Sequence, residues 1–458
     1  MASQSFSLTP QEVPKLKTDH RLIQTAIPAP GTAEVFERLD KYESRSMHGQ
    51  LPLVWDRADD FSVYDIKGNR WIDFTSTIFV ANVGHSNHRV TSAIKETLEE
   101  PLYSCYAYAN PVRASYLEKL ISFVGEPFEK AFLLSAGTEA TEAAFKLMRM
   151  HGQGAAKRRR GIICIENNWH GRTLGAQMMS SNSRQREWIG YQDSDIHHVP
   201  FPYPWQIEGQ SGEQFFQQGL EKLTAKGVDL TQDVCGFMLE TFQGWGAVFY
   251  PKDFVQAIER FCRQNDILMA FDEMQAGFGR TGKKFGFQHY EVTPDLICTG
   301  KGMGGGVPLS GVIGRAGVMD LPEVGNMSST HSANPLVCAA GLAVLEELES
   351  RDLVNEAERK GKLFREALES LQKQFPDRIS WVLGNGMIMA VLFQDPLAGK
   401  ADGAFASRVA ERCMQKGVLV VHTGRESIKL GPPLTITDEA LVEGIDVLGE
   451  SIAEVAAE

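Results

Sequence analysis

An α/β fold is what this sequence predicts: a large domain carrying a mainly parallel sheet flanked by helices, and a small α+β domain built from both chain ends. Three observations predict it. Between about residue 130 and residue 315, short β-rich runs alternate with stretches of helical periodicity. Those runs are apolar almost throughout instead of at every second residue, the pattern of strands buried on both faces. Strand-like text then returns near both ends of the chain, beside long amphipathic stretches.

Near the amino end, 61–66 and 70–74 flank Gly68-Asn69 and predict a hairpin, because Gly and Asn suit a tight turn. The strands expected in the large sheet are 131–134, 162–165, 234–239, 267–271, 296–298 and 311–313. Amphipathic stretches at 139–150 and 254–264 predict covering helices. After Asn334-Pro335 the text turns mainly helical, at 336–349 and 353–374, before strand-like segments at 388–393 and 418–421. The expected division is 1–75, contributing to the small domain; 76–334, the large domain; and 335–458, the rest of the small domain.

Composition narrows the function. The 458 residues are 43% hydrophobic and 23% charged, an ordinary globular balance with room for a large core. A net charge of −12 disfavours nucleic acid as a partner. The one basic run, Lys157-Arg158-Arg159-Arg160, falls between a helical pattern and a strand and reads as a solvated loop. No apolar run approaches the ~18–20 residues that span a bilayer, so no membrane role is expected. The first twenty residues lack a signal-peptide pattern. Seven cysteines without a CxxC pair read as reduced thiols, as in the cytoplasm. His85/His88 and His197/His198 lack the paired ligands a zinc site needs, so no metal is expected.

Two motifs carry the chemistry. In FDEMQAGFGRTG (271–282), Asp272 closes an apolar strand, where a carboxylate must find a partner. In TGKGMGGGVPLS (299–310), Lys301 opens a glycine-rich turn after another apolar strand. A strand-end Lys and a strand-end Asp facing one site suit an aldehyde-bearing pyridine cofactor, pyridoxal 5′-phosphate. The amine forms a Schiff base with the aldehyde, and the carboxylate keeps the ring nitrogen protonated. Gln275 is within reach of the ring's phenolic oxygen. Enclosure would lower the amine's pKa and make Lys301 both nucleophile and proton shuttle.

Two further segments fit that cofactor. Ser135-Ala136-Gly137-Thr138-Glu139-Ala140 leads from a strand through a small-residue turn into a helix, where N–H groups suit a phosphate. The same text also suits an ordinary helix cap. Trp169-His170-Gly171-Arg172 follows the strand 162–165; its indole can stack on a planar ring and its guanidinium can clamp a carboxylate. A buried Trp anchor with a surface Arg is the plainer alternative. One rival motif fails: Gly300-x-Gly302-x-x-Gly305 with Asp320 matches a dinucleotide fingerprint. That fingerprint must open a helix, and Val307-Pro308 stops one at once.

SAGTEA, WHGRT, DEMQAGFGRTG, GKGMGGGVPLSG and THSANPL, in this order over about residues 25–445, resemble the class III pyridoxal-phosphate aminotransferases of fold type I. That family includes 4-aminobutyrate, ornithine and broad ω-amino acid aminotransferases. The resemblance implies a seven-stranded sheet in the large domain, Lys301 as the Schiff-base lysine and Asp272 as partner of the pyridine nitrogen. It implies Gln275 near the ring oxygen, Trp169 and Met274 on the two ring faces, and His170 and Glu240 in the cofactor site. Ser135, Ala136, Gly137 and Thr138 would hold the phosphate. Thr330 would reach the phosphate of the neighbouring subunit, which implies a homodimer with shared sites. Ile78 and Arg172 match positions on the substrate side.

The chain also departs from the family. Members using glutamate and 2-oxoglutarate usually carry QGE where this chain reads Gln243-Gly244-Trp245. That Glu switches an Arg whose matching position here is Lys429. Trp245 offers an apolar wall, Lys429 a point charge without a bidentate fork, and Arg425 a nearby substitute. His331 replaces the usual aromatic after the Thr. The expected activity is ping-pong transamination between an amino acid or ω-amine donor and a 2-oxo acid. The alternatives on the same fold are racemisation or a dialkylglycine-decarboxylase-like reaction, and a non-catalytic pyridoxal-binding homologue.

Overall fold

A computed structural model describes residues 6–47, 49–99, 102–154 and 159–458. Its central feature is a seven-stranded sheet. In chain order the strands are β1 (Lys130–Leu134), β2 (Gly161–Ile165), β3 (Ile196–Val199), β4 (Val234–Glu240), β5 (Leu268–Asp272), β6 (Leu296–Thr299) and β7 (Ser310–Gly314). Across the sheet they run β1-β7-β6-β5-β4-β2-β3. Only β7 is antiparallel to its neighbours; the remaining pairs are parallel.

Both faces are covered, which is why the strands read as continuous apolar runs. Ile162, Cys164, Met238, Ala270 and Val312 pack with Ala140, Ala144, Leu147 and Met148 of the helix Gly137–Gln153 on one side. Ile163, Ile165, Phe237, Leu239, Met269 and Phe271 join the main core on the other, with Phe216, Phe254 and Ile258 from helices Gly212–Ala225 and Lys252–Gln264. The strand β3, with sequence IHHV, was not expected. It lies at the sheet edge, where His197 and His198 are only half-buried and the apolar signal is short.

Three smaller sheets stand beside the large one among the described residues, one of them only the two-stranded pair Phe242–Gln243 and Val248–Phe249. The predicted hairpin forms between Ser62–Asp65 and Arg70–Asp73, its turn held by the Asp65 carboxylate, which accepts from the N–H groups of Lys67 and Asn69. Val418–Leu419 adds in parallel to Arg70–Asp73, so the amino- and carboxyl-terminal parts share one sheet. A four-stranded antiparallel sheet combines Ile379–Asn385, Ile388–Phe393, Ser427–Leu430 and Val421–His422. No described helix is long and apolar enough to cross a membrane. The basic run differs from expectation. Lys157 and Arg158 lie outside the described residues, but Arg159 is buried and pairs with Asp266 at 2.6 Å. Arg160 pairs with Asp195 at 3.0 Å.

Arg280 ties these parts together from complete burial. Its guanidinium donates to the carbonyl of Met387 at 3.0 Å, to that of Pro432, and to Asn82 Oδ1 at 2.8 Å. Burial pulls its pKa down to about 9, against the raising effect of Asp73. Replacing it with methionine leaves three buried acceptors unpaired, each worth about 1–3 kcal/mol. Arg280→Met is therefore expected to lower stability by about 3 kcal/mol or more. The check is urea unfolding; an unchanged midpoint would refute this account of Arg280.

Candidate active site

Parallel strands deliver their carboxyl ends to one edge, and the loops leaving that edge form a crevice. Here β5 ends in Asp272, directly in register with Glu240 at the end of β4 and Cys298 near the end of β6. Three residues beyond Cys298 comes Lys301, at φ 45°. The loop after β2 supplies Trp169 and His170, and the loop after β1 opens the helix Gly137–Gln153. Because β7 runs the other way, its first residue meets the same edge: Ser310 Oγ donates to the Ala136 carbonyl at 2.8 Å.

Asp272 is buried and oriented on both oxygens. Oδ2 lies 3.0 Å from His170 Nδ1, and Oδ1 accepts from the Met274 N–H at 3.1 Å. His170 is fixed in turn, since its N–H donates to Ser180 Oγ and its carbonyl accepts from Thr141 Oγ1. Glu240 Oε2 accepts from the Trp169 N–H at 2.9 Å. Burial, then the neighbouring Asp272, pushes the Glu240 carboxyl up to about 8. Burial lowers the Lys301 amine, while Asp272 and Glu240 oppose that shift. A fourth ionisable group, Lys429, reaches this space from the strand Ser427–Leu430. Burial, and then Lys301, brings it down to about 7, with Glu240 opposing.

The start of the helix Gly137–Gln153 lies alongside. The Ser135 and Ala136 N–H groups are engaged by Glu139 Oε2 at 2.9 and 2.8 Å. This leaves the Gly137 and Thr138 N–H groups and the Thr138 hydroxyl, which contacts Thr173 Oγ1 at 2.6 Å. A Cβ at Gly137 would come 2.8 Å from Met274 Sδ. Gly137 is thus the gap through which backbone and the Met274 side chain approach each other.

On the opposite side, Lys429 Nζ donates to Gln275 Oε1 at 3.0 Å and sits 4.6 Å from the centre of the Phe79 ring. Ile78 precedes Phe79 in a turn where Ser76, Thr77, Ile78 and Phe79 all have positive φ, from 45° to 71°. Left-handed backbone costs an L-residue roughly 1–2 kcal/mol, so this turn is held from outside. Ser76 Oγ donates to the Gly431 carbonyl at 2.7 Å, and Asp73 accepts from Thr75 N at 2.8 Å and Ser76 N at 3.0 Å. Trp245 Nε1 donates to Gln243 Oε1 at 2.8 Å, and the Arg425 guanidinium lies 3.8 Å from the Trp245 ring centre. Arg425 also pairs with Glu426 at 3.1 Å.

Two expected residues stand apart within a single chain. Arg172 is exposed, stacked 4.5 Å from the Trp169 ring. Thr330 is exposed on the loop before the helix Pro335–Ser350. Sequence reasoning passed over Phe79 and Arg280, whose text looks like core and loop. His170 was named without its Asp272 contact, which only the fold supplies.

The donor set fits pyridoxal 5′-phosphate. A cradle that a Cβ would fill lies at Gly137, the Lys301 amine is influenced by the strand-end carboxylate of Asp272, and among the described residues buried His170 Nε2 has no hydrogen-bond partner. The class-III aminotransferase family model matches residues 43–452. The 4-aminobutyrate aminotransferase of Mycobacterium leprae (strain TN) is 30% identical over 95% of this chain and 98% of its own length. The leucine/methionine racemase of Thermococcus litoralis is 34% identical over 92% of this chain and 96% of its own. An ornithine aminotransferase structure from Toxoplasma gondii, with partial occupancy of PLP at its active site, superposes with a TM-score of 0.81. It is 27% identical and covers 93% of this chain and 95% of its own.

Gly137→Ala is expected to displace Met274 and weaken pyridoxal 5′-phosphate binding about tenfold, a cost of ~1.4 kcal/mol. Equilibrium dialysis of the cofactor measures this, and an unchanged dissociation constant would remove the cradle.

Proposed function

The chain belongs to the class-III aminotransferase family, and on that premise we propose how its residues divide the work of the reaction. The protein is a pyridoxal-phosphate-dependent aminotransferase that moves an amino group from an amino donor to a 2-oxo acid. When bound, the cofactor supplies an aldehyde that captures amines and a protonated ring that draws electrons from the substrate carbon. The observation that carries the assignment is the register of the sheet edge, which sets Asp272 beside Glu240 and beside Cys298, with half-buried Lys301 three residues beyond.

Lys301 Nζ is the acid–base group. It takes the proton from the amino-bearing carbon of the donor and returns one to the carbonyl carbon of the acceptor. Burial lowers its pKa, the direction a base for that task needs. Asp272, fixed by His170 and the Met274 N–H, holds negative charge against the ring nitrogen. Glu240 fixes the Trp169 loop over one ring face, and Met274 packs on the other. Gly137 and Thr138 turn N–H groups and a hydroxyl to the phosphate, with Ser135 and Ala136 shaping that turn. Gln275 faces the ring oxygen and receives Lys429.

Lys429 is the charge that binds a substrate carboxylate, with Ile78 and Trp245 as apolar walls. Arg172 and Arg425 are outer cations, stacked on Trp169 and Trp245. Exposed Thr330 fits a homodimer in which Thr330 of the partner subunit completes each phosphate site. Leu98, Leu102, Tyr103, Tyr106 and Tyr108, all exposed in one chain, suit the covered surface of such a dimer. Seven free cysteines, six of them buried, support a cytoplasmic setting. The division at 1–75, 76–334 and 335–458 is kept as the domain assignment.

The racemase relative makes racemisation the second reading. Amino acid mixed with stoichiometric holoenzyme, without acceptor, separates them: transamination releases one oxo acid per site, whereas racemisation releases none and inverts the donor.

Lys301→Ala is expected to abolish turnover while leaving the fold intact; wild-type steady-state rates in that variant would remove Lys301 from the reaction. A pH profile tests Lys429. Its ammonium is present below about 7 and lost above it, so kcat/KM for pyruvate should fall as pH rises through that value. Lys429→Arg, charged throughout, should flatten this limb; a wild-type profile rising through the same range would contradict the assignment.

A further inference from the structure

The ring of Phe79 has a place no packing requirement alone explains. It is buried, and its backbone lies at φ 71°, the last residue of the left-handed turn Ser76–Phe79. One cation, Lys429 Nζ, is 4.6 Å from the ring centre, and a second, the Arg280 guanidinium, is 5.8 Å from it. Both fall within the roughly 6 Å over which a cation is drawn to an aromatic face. Among the described residues, the only hydrogen bond of the Lys429 ammonium goes to a neutral acceptor, Gln275 Oε1. The ring is therefore the second attractive surface this buried charge touches.

The surroundings hold the ring in place. A Cβ on Gly431 would fall 2.2 Å from Phe79 Cε1, so the residue two beyond Lys429 must be bare for the ring to lie there. The backbone at that same residue is tied to the turn on both sides. The Gly431 N–H donates to the Phe74 carbonyl at 2.7 Å, and its carbonyl accepts from Ser76 Oγ at 2.7 Å. The turn that carries Phe79 and the strand that carries Lys429 are thus clamped to each other. Apolar neighbours Ile388, Ala390 and Val421 close the same cluster.

We propose that Phe79 is a positioning residue for the reaction: its ring face carries the Lys429 ammonium and aims it at the substrate carboxylate. This rests on the reading of Lys429 as the carboxylate-binding group. A leucine in place of Phe79 keeps an apolar side chain but offers no negative ring face. The ammonium would then lose its direction, and affinity for a carboxylate would drop while the proton transfers at Lys301 continue.

The test compares holoenzyme variants converted to the aminated form and mixed with pyruvate or with acetaldehyde, its analogue without the carboxylate. Single-turnover absorbance gives the half-saturation and limiting rate for each. Phe79→Leu should raise half-saturation for pyruvate about tenfold, leave its limiting rate within about twofold, and leave acetaldehyde unchanged. Equal losses with both probes would mean a general packing defect and overturn the proposal, as would no change with either. Lys429→Met, run in parallel, separates the two levels. If it raises the pyruvate value and Phe79→Leu does not, the role of Phe79 alone is overturned. If Lys429→Met changes nothing, the carboxylate reading falls and the role of Phe79 with it. Melting temperatures of both variants establish that each comparison is made on folded protein.

Discussion

Four ionisable side chains, Asp272, Glu240, Lys301 and Lys429, share one enclosure, and their mutual charge balance constrains the rest of the structure. A single carboxylate or ammonium taken from water at this depth would give up its charge. Together, two acids and two bases temper the loss, and the directions of shift reveal the compromise. Glu240 moves up to about 8 and Lys429 down to about 7, so each sits near the point where its charge is optional. Both oxygens of Asp272 are engaged, one by His170 Nδ1 and the other by the Met274 N–H. A parallel sheet suits this arrangement, since adjacent strands end at one edge and put Glu240 beside Asp272 in register.

The fourth charge arrives from a different sheet, so the large sheet and the sheet carrying Lys429 must be locked in relation to each other. That lock is polar and buried. Arg280, in the loop after β5, gathers carbonyls from Met387 and Pro432 and the amide oxygen of Asn82. The left-handed turn Ser76–Phe79 is wedged between them, and its strain is tolerable only because Asp73 and Gly431 determine its backbone from both sides. The pairing of Val418–Leu419 with Arg70–Asp73 draws the chain ends to the same region. Strain and buried charge thus concentrate where the large sheet and the sheet carrying Lys429 meet.

Much of this was legible in the chain. The large-sheet strands with apolar text on both faces announced themselves, as did Asp272 and Lys301, because a charged residue closing an apolar run has few structural uses. The edge strand β3 did not, since two half-buried histidines interrupt its pattern. Arg159 looked like part of a solvated run, yet Asp266 and the Asn265 carbonyl draw it inward. Phe79 was invisible for a deeper reason: a phenylalanine in an apolar stretch reads as core, and only the fold reveals which charge lies over its face. Lys429 could be found by resemblance, but its contact with Gln275, 154 positions away, could not.

The two halves of the site follow different physical rules. Around Asp272, groups are fixed by hydrogen bonds with His170 Nδ1 and the Met274 N–H, which suits one cofactor held in one pose. Elsewhere, cations rest on rings: Lys429 on Phe79, Arg425 on Trp245, Arg172 on Trp169. An ion pair with a carboxylate cancels a cation, so a glutamate beside it can admit a substrate without negative charge there. A ring holds a cation without cancelling it. On the proposed roles, Trp245 in place of that glutamate leaves Lys429 without a switching ion-pair partner at that position in both halves of the reaction. Donor and acceptor would then be alike in presenting a carboxylate to it, and differ in what lies between carboxylate and reacting carbon.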